Sequence, residues 1–424
     1  MRNQRESLLE SNFISRARCS LRILNFTLFF CFLATTLAGG NLFLEYTLAV
    51  ENGTAKELSF SPATKIYEGV YAAFESDVDR GIKRLAFDAL PEMNLPPSAI
   101  ARREAEKKIG VYIHMNNTAN EKFRTKEIAK LQEIEHSTVV FDVKGSFVYF
   151  ETNSEIAKKY GLAKSLYDLP QIVEELESAG IYTIARVIAV KDPQLAVRSP
   201  HTWLRSPWSS EPVPEWVDPT NDEVLEYNRQ IISEIVAAGV DEINLDFIRY
   251  PDKFTSQWLG ISGEEKIKNI LNFVTMAREA IDSQKMDAVL SVDTFAILPW
   301  DDGRTAAALG QDITQLAEIA DIIAPMLYPA TFSRDNPKYY LKKQSHEYST
   351  VFLTLKKYEE VLGENAKKLR PWIQGYYTTE QQMRDQIAAV FDAGICGFTV
   401  WDIQNDYTET YEILGEIELP ENCK

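Results

Sequence analysis

Three aspartates interrupt or end segments that are otherwise strongly apolar. Asp246 and Asp293 each lie inside a run of aliphatic and aromatic residues, and Asp402 ends a third such run. A carboxylate among buried apolar side chains costs free energy unless something uses it. Two such carboxyl groups on neighbouring elements can act together, one as an ionised nucleophile or base and the other as a protonated acid. The pattern therefore indicates an enzyme.

The elements that would hold these aspartates alternate between strand-like and helix-like segments from Gly110 onward. Near-continuous apolar strands joined by helices require a parallel sheet that is covered on its outer side. Eight such units over about 300 residues favour an α/β fold of the closed (β/α)8 TIM-barrel type over an open doubly wound sheet. No glycine-rich dinucleotide fingerprint follows the first strand. The predicted strands span residues 111–115, 138–143, 182–190, 242–250, 289–295, 322–328, 371–376 and 397–402.

Several helical segments end in a small-residue turn just before the next strand. Gly180, Gly239 and Gly394 close three of these turns, and each follows an alanine. Glycine readily adopts the left-handed conformation that commonly ends a helix, so these three positions predict helix C-termini.

In a barrel of this type the functional face is built from the C-terminal ends of the strands and the loops after them. Those positions are rich in carboxylates, arginines, amides and aromatic rings. This mixture suits a sugar, whose hydroxyl groups bind polar side chains while its ring faces stack on tryptophan and tyrosine. We predict that Asp246 and Asp293 are the catalytic pair. The predicted substrate-binding residues are His114, Asp142, Lys144, Arg186, Arg249, Tyr250, Tyr328, Gln374, Trp401 and Asp402.

Each of these assignments has a structural alternative. Asp246 could be a buried carboxylate that Arg249 or Arg186 satisfies, and Asp293 could accept a hydrogen bond from a backbone amide. Asp142 is expected to orient a neighbouring cation rather than to take part in the chemistry. Other members of the set could be packing or strand-end residues; these are His114, Tyr250, Tyr328, Trp401 and Asp402.

The segment after the third predicted strand, residues 191–219, is long for a connection in such a fold. It holds Trp203, Trp208 and Trp216 among several prolines. This composition predicts a stiff aromatic wall at the functional end of the barrel. The alternative is that the three rings cover a neighbouring helix.

The bulk composition excludes some classes of partner. The formal net charge of −17 argues against nucleic acid, whose phosphates would be repelled, and against a general anionic membrane surface. The four histidines show no metal-ligand spacing, so no metal or other cofactor is expected. The expected partner is a carbohydrate substrate.

The first forty residues have the pattern of a targeting segment. A basic stretch precedes an apolar run over residues 23–38, which is shorter than the roughly 20 residues needed to span a bilayer. This predicts a secretory signal, with an uncleaved anchor as the alternative. Membrane contact would then occur only through this segment, and the protein would be periplasmic, on the cell surface or extracellular. The predicted domains are a signal or anchor (1–40), a stem or accessory segment (41–107), the barrel (108–418) and a tail (419–424).

Four cysteines do not make a disulfide framework. Cys19 and Cys31 lie in the targeting segment, whereas Cys396 and Cys423 lie near the end of the chain. We do not expect the last two to form a bridge.

Seven segments, taken together and in order, resemble a bacterial family of glycoside-hydrolase-like TIM barrels whose domain was long catalogued as of unknown function. The run Asn-Leu-Asp-Phe-Ile-Arg-Tyr-Pro over residues 244–251 is the most specific of them. The resemblance covers about residues 108–415 and extends distantly to barrels of the α-amylase and α-galactosidase types. The segments span residues 110–114, 140–144, 184–187, 244–251, 291–294, 324–329 and 397–401.

The resemblance implies a TIM-barrel glycosidase whose nucleophile is the strand-four aspartate, here Asp246. In related barrels the acid comes from strand five or six. Strand five offers Asp293 in this chain, whereas strand six ends in Met326 and Tyr328. Enzymes of the α-amylase type carry a glutamate on strand five, so the aspartate here is a departure.

The sequence thus predicts an exported glycoside hydrolase that cleaves a polysaccharide or oligosaccharide by two-carboxylate catalysis. Carboxyl groups about 5 Å apart would give a retaining reaction, and a wider gap would admit water and give inversion. The alternative is a non-catalytic, envelope-tethered barrel that binds carbohydrate. A metal-dependent carbohydrate deacetylase is disfavoured, since such enzymes usually need a histidine-rich site.

Overall fold

The computed structural model describes residues 97–209, 211–284 and 287–423. The predicted signal or anchor and nearly all of the predicted accessory segment lie outside these residues. Within them, no helix combines the length and the apolar character needed to cross a membrane.

Eight parallel strands close into a barrel in the order β1-β10-β9-β8-β7-β6-β3-β2, which confirms the predicted (β/α)8 fold. Strands β4 and β5 form a separate antiparallel hairpin in the connection between β3 and β6. The strands are β1 (Ile109–Ile113), β2 (Ser137–Lys144), β3 (Tyr182–Ile188), β4 (Trp203–Arg205), β5 (Pro212–Val217), β6 (Glu242–Asp246), β7 (Val289–Phe295), β8 (Ile322–Leu327), β9 (Trp372–Gln374) and β10 (Phe398–Trp401).

Helices cover the outer side of the barrel, as the two-sided burial of the strands requires. The helices are α1 (Pro97–Glu106), α2 (Met115–Ala119), α3 (Glu121–Leu131), α4 (Glu155–Tyr160), α5 (Leu169–Ser178), α6 (Pro193–Arg198), α7 (Asp222–Ala237), α8 (Ser256–Leu259), α9 (Gly263–Asp282), α10 (Arg304–Leu309), α11 (Ile313–Ile319), α12 (His346–Leu362), α13 (Glu380–Asp392) and α14 (Thr408–Gly415).

Local sequence accounts for where several helices end. Gly180, Gly239 and Gly394 have φ angles of 76°, 101° and 87° just past the ends of α5, α7 and α13. These left-handed residues end the helices at the predicted positions and turn the chain into β3, β6 and the segment before β10. The prediction from the small-residue turns is confirmed.

The strand predicted over residues 242–250 is too long, because β6 ends at Asp246. Phe247 has a φ of 51°, which an extended strand cannot accommodate. The chain turns sharply at this point, so the carboxylate stands at the end of its strand rather than in the middle. The β4–β5 hairpin was not predicted from the sequence.

Helix α1 lies across the N-terminal end of the barrel. Ala105 packs against Val289 and Ile322, the first residues of β7 and β8. Arg370 donates a hydrogen bond from Nη1 to the Ala105 carbonyl oxygen at 2.9 Å and pairs through both terminal nitrogens with Glu242 at the start of β6. This end of the barrel is closed by a helix and a buried ion pair.

Cys396 and Cys423 form a disulfide, with their Cα atoms 5.2 Å apart, so the expectation that they stay unpaired is wrong. After α14 the chain returns to the segment that precedes β10, where Cys423 is buried. The sequence separation of 27 between the two cysteines concealed this proximity, because the return path depends on how α14 packs.

Candidate active site

One arginine joins the carboxylates of two strands at the C-terminal end of the barrel. Asp142 on β2 is in register with Arg186 on β3, and Ile188 of β3 is in register with Asp246 of β6. Arg186 donates from Nη1 to Asp142, and from Nε at 3.1 Å and from Nη2 to Asp246 Oδ2. One guanidinium thus serves two buried carboxylates. Arg186, Asp142 and Asp246 together contain one cationic and two acidic side chains at the C-terminal end of the barrel.

The carboxylate of Asp246 is held at both oxygens. Oδ2 accepts from Arg186, and Oδ1 accepts from the Phe247 backbone N–H at 2.6 Å. Phe247, which donates the second hydrogen bond, is itself in the left-handed conformation, which is strained for a residue with a side chain. These donors stabilise negative charge on Asp246 and fix its orientation.

Asp293, on the neighbouring strand β7, lies in a different environment. Its Oδ1 accepts from Asn244 Nδ2 at 2.8 Å and from Trp372 Nε1 at 2.7 Å. Burial, reinforced by the negative charge of Asp246, outweighs these hydrogen bonds and raises the pKa of Asp293 to about 8. Asp293 therefore carries a proton near neutral pH. Its hydrogen-bond donors are uncharged side chains, whereas Asp246 is held by a guanidinium and a backbone N–H, and such a difference between two neighbouring carboxyl groups is typical of acid–base catalysis.

Aromatic rings line the same end of the barrel. Tyr112 and Trp401 stack with ring centroids 4.1 Å apart, and the Arg186 guanidinium lies 5.0 Å from the Trp401 ring. The Tyr112 hydroxyl donates to Asp142 Oδ2 at 2.6 Å. Trp372 meets Trp401 edge to face at 5.7 Å. These rings hold the charged groups rigidly and leave Trp401 partly exposed.

Tyr328 follows the end of β8 and is close to both aspartates. Desolvation, followed by the charges of Asp293 and Asp246, raises its pKa, so its phenol stays protonated. Its ring meets Tyr376 edge to face at 6.0 Å, and Tyr376 in turn meets the exposed ring of Tyr377 at 5.9 Å. A row of three tyrosines thus leads outward from the aspartates.

Three further predicted residues join the loops of this end. Gln374 accepts from the Ala330 backbone N–H through Oε1 at 2.9 Å, which ties the loop after β8 to β9. Asp402 accepts from the Gln404 backbone N–H at 2.8 Å. The His114 backbone N–H donates to Asn405 at 2.9 Å, and the His114 side chain caps α2. These contacts support loop positions beside the cluster.

The structure does not bring Lys144 and Tyr250 to the cluster. Lys144 is completely buried, and its Nζ lies 3.0 Å from Asp192 Oδ2 and 5.2 Å from the ring centroid of Tyr227 on α7. Tyr250 is also completely buried, and its hydroxyl accepts from Asn269 on α9 at 3.0 Å. Both side chains lie in the layer between strands and helices.

The loop tryptophans divide between two environments. Trp216 on β5 packs against Phe247, with ring centroids 6.1 Å apart, and lies 5.1 Å from the Arg249 guanidinium. Trp208 is 77% exposed, and Trp203 lies under Arg205 within the hairpin. Of the three, Trp216 contacts the residues that follow Asp246.

Sequence reasoning missed Tyr112, Asn244 and Trp372, which all contact the central carboxyl groups. A signal for two of them was present. Side chains two residues apart on a strand share a face, so Asn244 accompanies Asp246, and Trp372 accompanies Gln374. Among the described residues, no group of three histidine, cysteine or acidic side chains is arranged to hold a metal ion.

Comparisons with known proteins show the family of the chain. Residues 110–407 match the model of a family described as "Putative glycosyl hydrolase domain". No curated protein matches the sequence. A hypothetical protein from Ruminiclostridium thermocellum is 27% identical, over 43% of this chain and 96% of its own, with a TM-score of 0.38.

Two solved enzymes align over more of the chain at lower identity. An α-amylase from Lactobacillus plantarum is 12% identical, over 72% of this chain and 73% of its own, with a TM-score of 0.47. An endo-1,4-β-D-mannanase from Thermotoga petrophila RKU-1 is 13% identical, over 73% of this chain and 98% of its own, with a TM-score of 0.48.

Proposed function

We propose that this chain, which belongs to the glycosyl hydrolase family whose model matches residues 110–407, cleaves a polysaccharide or oligosaccharide with Asp246 and Asp293. The observation that carries the proposal is the pairing of an aspartate held by cationic and N–H donors with one whose pKa is raised to about 8. A glycosidase needs one carboxylate and one carboxylic acid on either side of the scissile bond.

The positions of the two aspartates favour the retaining route. Leu245 of β6 is in register with Val292 of β7, so Asp246 and Asp293 occupy the next positions on adjacent strands. Adjacent strands lie about 4.8 Å apart, which matches the roughly 5 Å separation of carboxyl groups in retaining enzymes.

In the first step, Asp293 donates its proton to the glycosidic oxygen while an Asp246 oxygen attacks the anomeric carbon. The bond to the leaving sugar breaks, and a glycosyl ester of Asp246 forms. In the second step, the Asp293 carboxylate takes a proton from water as that water attacks the anomeric carbon. The ester breaks, which restores the Asp246 carboxylate and the Asp293 acid.

The residues around the pair would position the substrate. Arg186 keeps Asp246 oriented, and Asp142 with Tyr112 keeps Arg186 in place. The partly exposed rings of Trp401 and Tyr328 offer flat faces to a sugar ring. Stacking on rigid aromatic rings adds binding energy at a low cost in side-chain entropy.

We also propose that the protein acts outside the cytoplasm. The signal-like pattern of residues 1–40 and the Cys396–Cys423 disulfide both support this location, because disulfides persist mainly in oxidising compartments. Cell fractionation with N-terminal sequencing of the recovered protein tests it. Recovery of reduced, full-length protein from the cytoplasm would contradict it.

The deciding experiment measures release of reducing sugar from a panel of bacterial exopolysaccharides and α-glycans by wild type and Asp246→Asn. Asp385→Asn on α13 makes the same chemical change at a site that contacts Gln381, and it serves as the matched control. We expect activity in wild type and the control and none in Asp246→Asn, with unchanged circular dichroism. Equal activity in Asp246→Asn would remove Asp246 from the mechanism. Glycan binding without turnover in wild type would instead favour a carbohydrate-binding barrel.

A further inference from the structure

Arg249 is a buried cation at the functional end of the barrel, three residues beyond Asp246. Its guanidinium lies 4.6 Å from the ring centroid of Phe295, 5.1 Å from that of Trp216 and 5.4 Å from that of Phe247. These rings come from the end of β7, from the β4–β5 hairpin and from the turn after β6. Only 10% of the Arg249 side chain is exposed.

The charge of Arg249 is poorly compensated. Nη1 donates to the Tyr250 carbonyl oxygen at 3.0 Å and lies 3.7 Å from the half-exposed Asp252. Both contacts use the same nitrogen, and Nε and Nη2 have no hydrogen-bond acceptor within the part of the chain that the structure describes. Burial lowers the pKa of Arg249, against the weaker effects of Asp252 and Asp246. Because an arginine stays charged in proteins, this desolvation has to be offset by contacts.

Two other buried arginines, Arg186 and Arg370, show what full compensation of a guanidinium charge looks like. Arg186 donates to two carboxylates, and Arg370 donates to Glu242 through two nitrogens. Contacts with aromatic rings attract the Arg249 charge, but they provide no hydrogen-bond acceptor for its Nε and Nη2 groups. Lys191 places a second cation over the Phe247 ring at 5.1 Å, although Glu215 lies 3.3 Å from it.

We propose that Arg249 binds an anionic group of the glycan, a uronic carboxylate or a sulfate ester, so that the substrate is an acidic sugar polymer. Two free nitrogens of a planar guanidinium match the two oxygens of such a group. The three rings form an apolar collar that strengthens the pairing by excluding water. This inference rests on the proposed function, because it concerns the sugar beside Asp246. The net charge of −17 opposes it only weakly, since charges beyond about 8–10 Å are screened at physiological salt.

The test compares each acidic glycan with a neutral counterpart of the same linkage. The probes are oligogalacturonate against its carboxyl-reduced form, and a sulfated galactan oligosaccharide against its desulfated form. Dissociation constants are measured by calorimetry and kcat/KM by sugar release, each at low and high salt. The variants are Arg249→Met and Arg249→Lys. The matched control is Arg205→Met. In wild type the Arg205 guanidinium lies 4.9 Å from the Trp203 ring in the β4–β5 hairpin.

We expect wild type and Arg205→Met to bind one acidic probe about 10-fold to 100-fold more tightly than its neutral form, with the preference falling as salt rises. Arg249→Met should lose this preference without weaker binding of the neutral form. Arg249→Lys should keep part of it. The pair of probes that shows the preference identifies carboxylate or sulfate as the group bound.

Three results would overturn the inference. One is equal affinity of wild type for the charged and neutral forms of both pairs. Another is an equal loss of affinity for both forms in Arg249→Met, which would mean that Arg249 only supports the hairpin. The third result applies if Arg249→Met does not fold. It is that Arg249→Lys keeps the full preference for the acidic probe and that salt has no effect on this preference in wild type. Turnover without charge preference would leave the glycosidase proposal standing, whereas charge-dependent binding without turnover would leave this inference standing alone.

Discussion

Strand β6 carries a buried acidic residue at each end, Glu242 at its start and Asp246 at its end, and each is paired with a buried arginine. At the start, Glu242 and Arg370 match one negative charge with one positive charge, and the Ala105 carbonyl oxygen takes a further hydrogen bond. Helix α1 covers this pair.

At the other end, Arg186 is shared by Asp142 and Asp246, and the third carboxyl group, Asp293, is kept protonated. At this end Phe247 holds a strained, left-handed conformation beside Asp246. A balanced, covered ion pair stabilises a fold, whereas an unbalanced one with a shifted pKa is typical of a catalytic site. The same strand therefore stabilises the fold at one end and serves the chemistry at the other.

The largest effect should come from Asp246→Asn at the proposed catalytic end. We expect kcat to fall by about 10³-fold or more, because the nucleophile is lost. Stability should change little or rise, since an excess negative charge is removed from a buried site. Sugar release together with urea unfolding measures both quantities. Strong destabilisation by Asp246→Asn would contradict the proposed difference between the two ends of β6.

Glu242→Gln should have the opposite profile. It leaves Arg370 buried without its carboxylate, so the free energy of unfolding should fall by about 3–5 kcal/mol. Activity per folded molecule should stay near that of wild type. Urea unfolding provides the measurement, and Glu380→Gln, which breaks an exposed pair with Arg384, should cost under about 1 kcal/mol. If Glu242→Gln lost activity but kept full stability, the assignment of a purely stabilising role to this end of β6 would be contradicted.

Replacing Cys396 and Cys423 together by serine tests the closed end of the barrel in another way. The disulfide constrains the unfolded chain, so its loss should lower the free energy of unfolding by about 2–4 kcal/mol. Turnover at moderate temperature should not change, since β10 starts at that end. Thermal unfolding with and without reductant checks this, and reductant should have no effect on the double variant.

The raised pKa of Asp293 also predicts how stability depends on pH. Because the folded pKa of Asp293 is raised to about 8 from about 3.9 in the unfolded chain, its stabilising contribution is complete below about pH 4. That contribution is lost as pH rises through about 8, and proposed acid catalysis is lost over the same upper range. Asp293→Asn should abolish the stability decline between these pH values. Denaturant titrations from pH 4 to pH 9 measure it, and parallel curves for the two proteins would show that Asp293 does not carry the proton.

Much of the fold could be predicted from apolar segments and from glycines at the C-termini of helices. All eight barrel strands were located, because strands buried on both faces leave an unmistakable apolar signature. Asp142, Arg186, Asp246 and Asp293 were all predicted as site residues because strand ends define the functional face of a barrel, and the structure brings them together.

Errors arose where the direction of a side chain depends on a local bend. Tyr250 follows the left-handed turn at Phe247, and Lys144 follows a register shift in β2, so both point into the outer layer. Tyr112 and Trp372 were missed because an aromatic residue in a strand resembles ordinary core.

The sequence by itself determined the barrel, the order of its strands and the presence of acidic residues on the neighbouring strands β6 and β7. These features depend on local pattern and on a chain topology with few solutions. Only the tertiary structure decided that one guanidinium serves two carboxylates, that Asp293 keeps its proton and that Cys396 meets Cys423. Each of these depends on distances of a few ångströms between groups far apart in the chain, which barrel closure sets and local pattern does not encode.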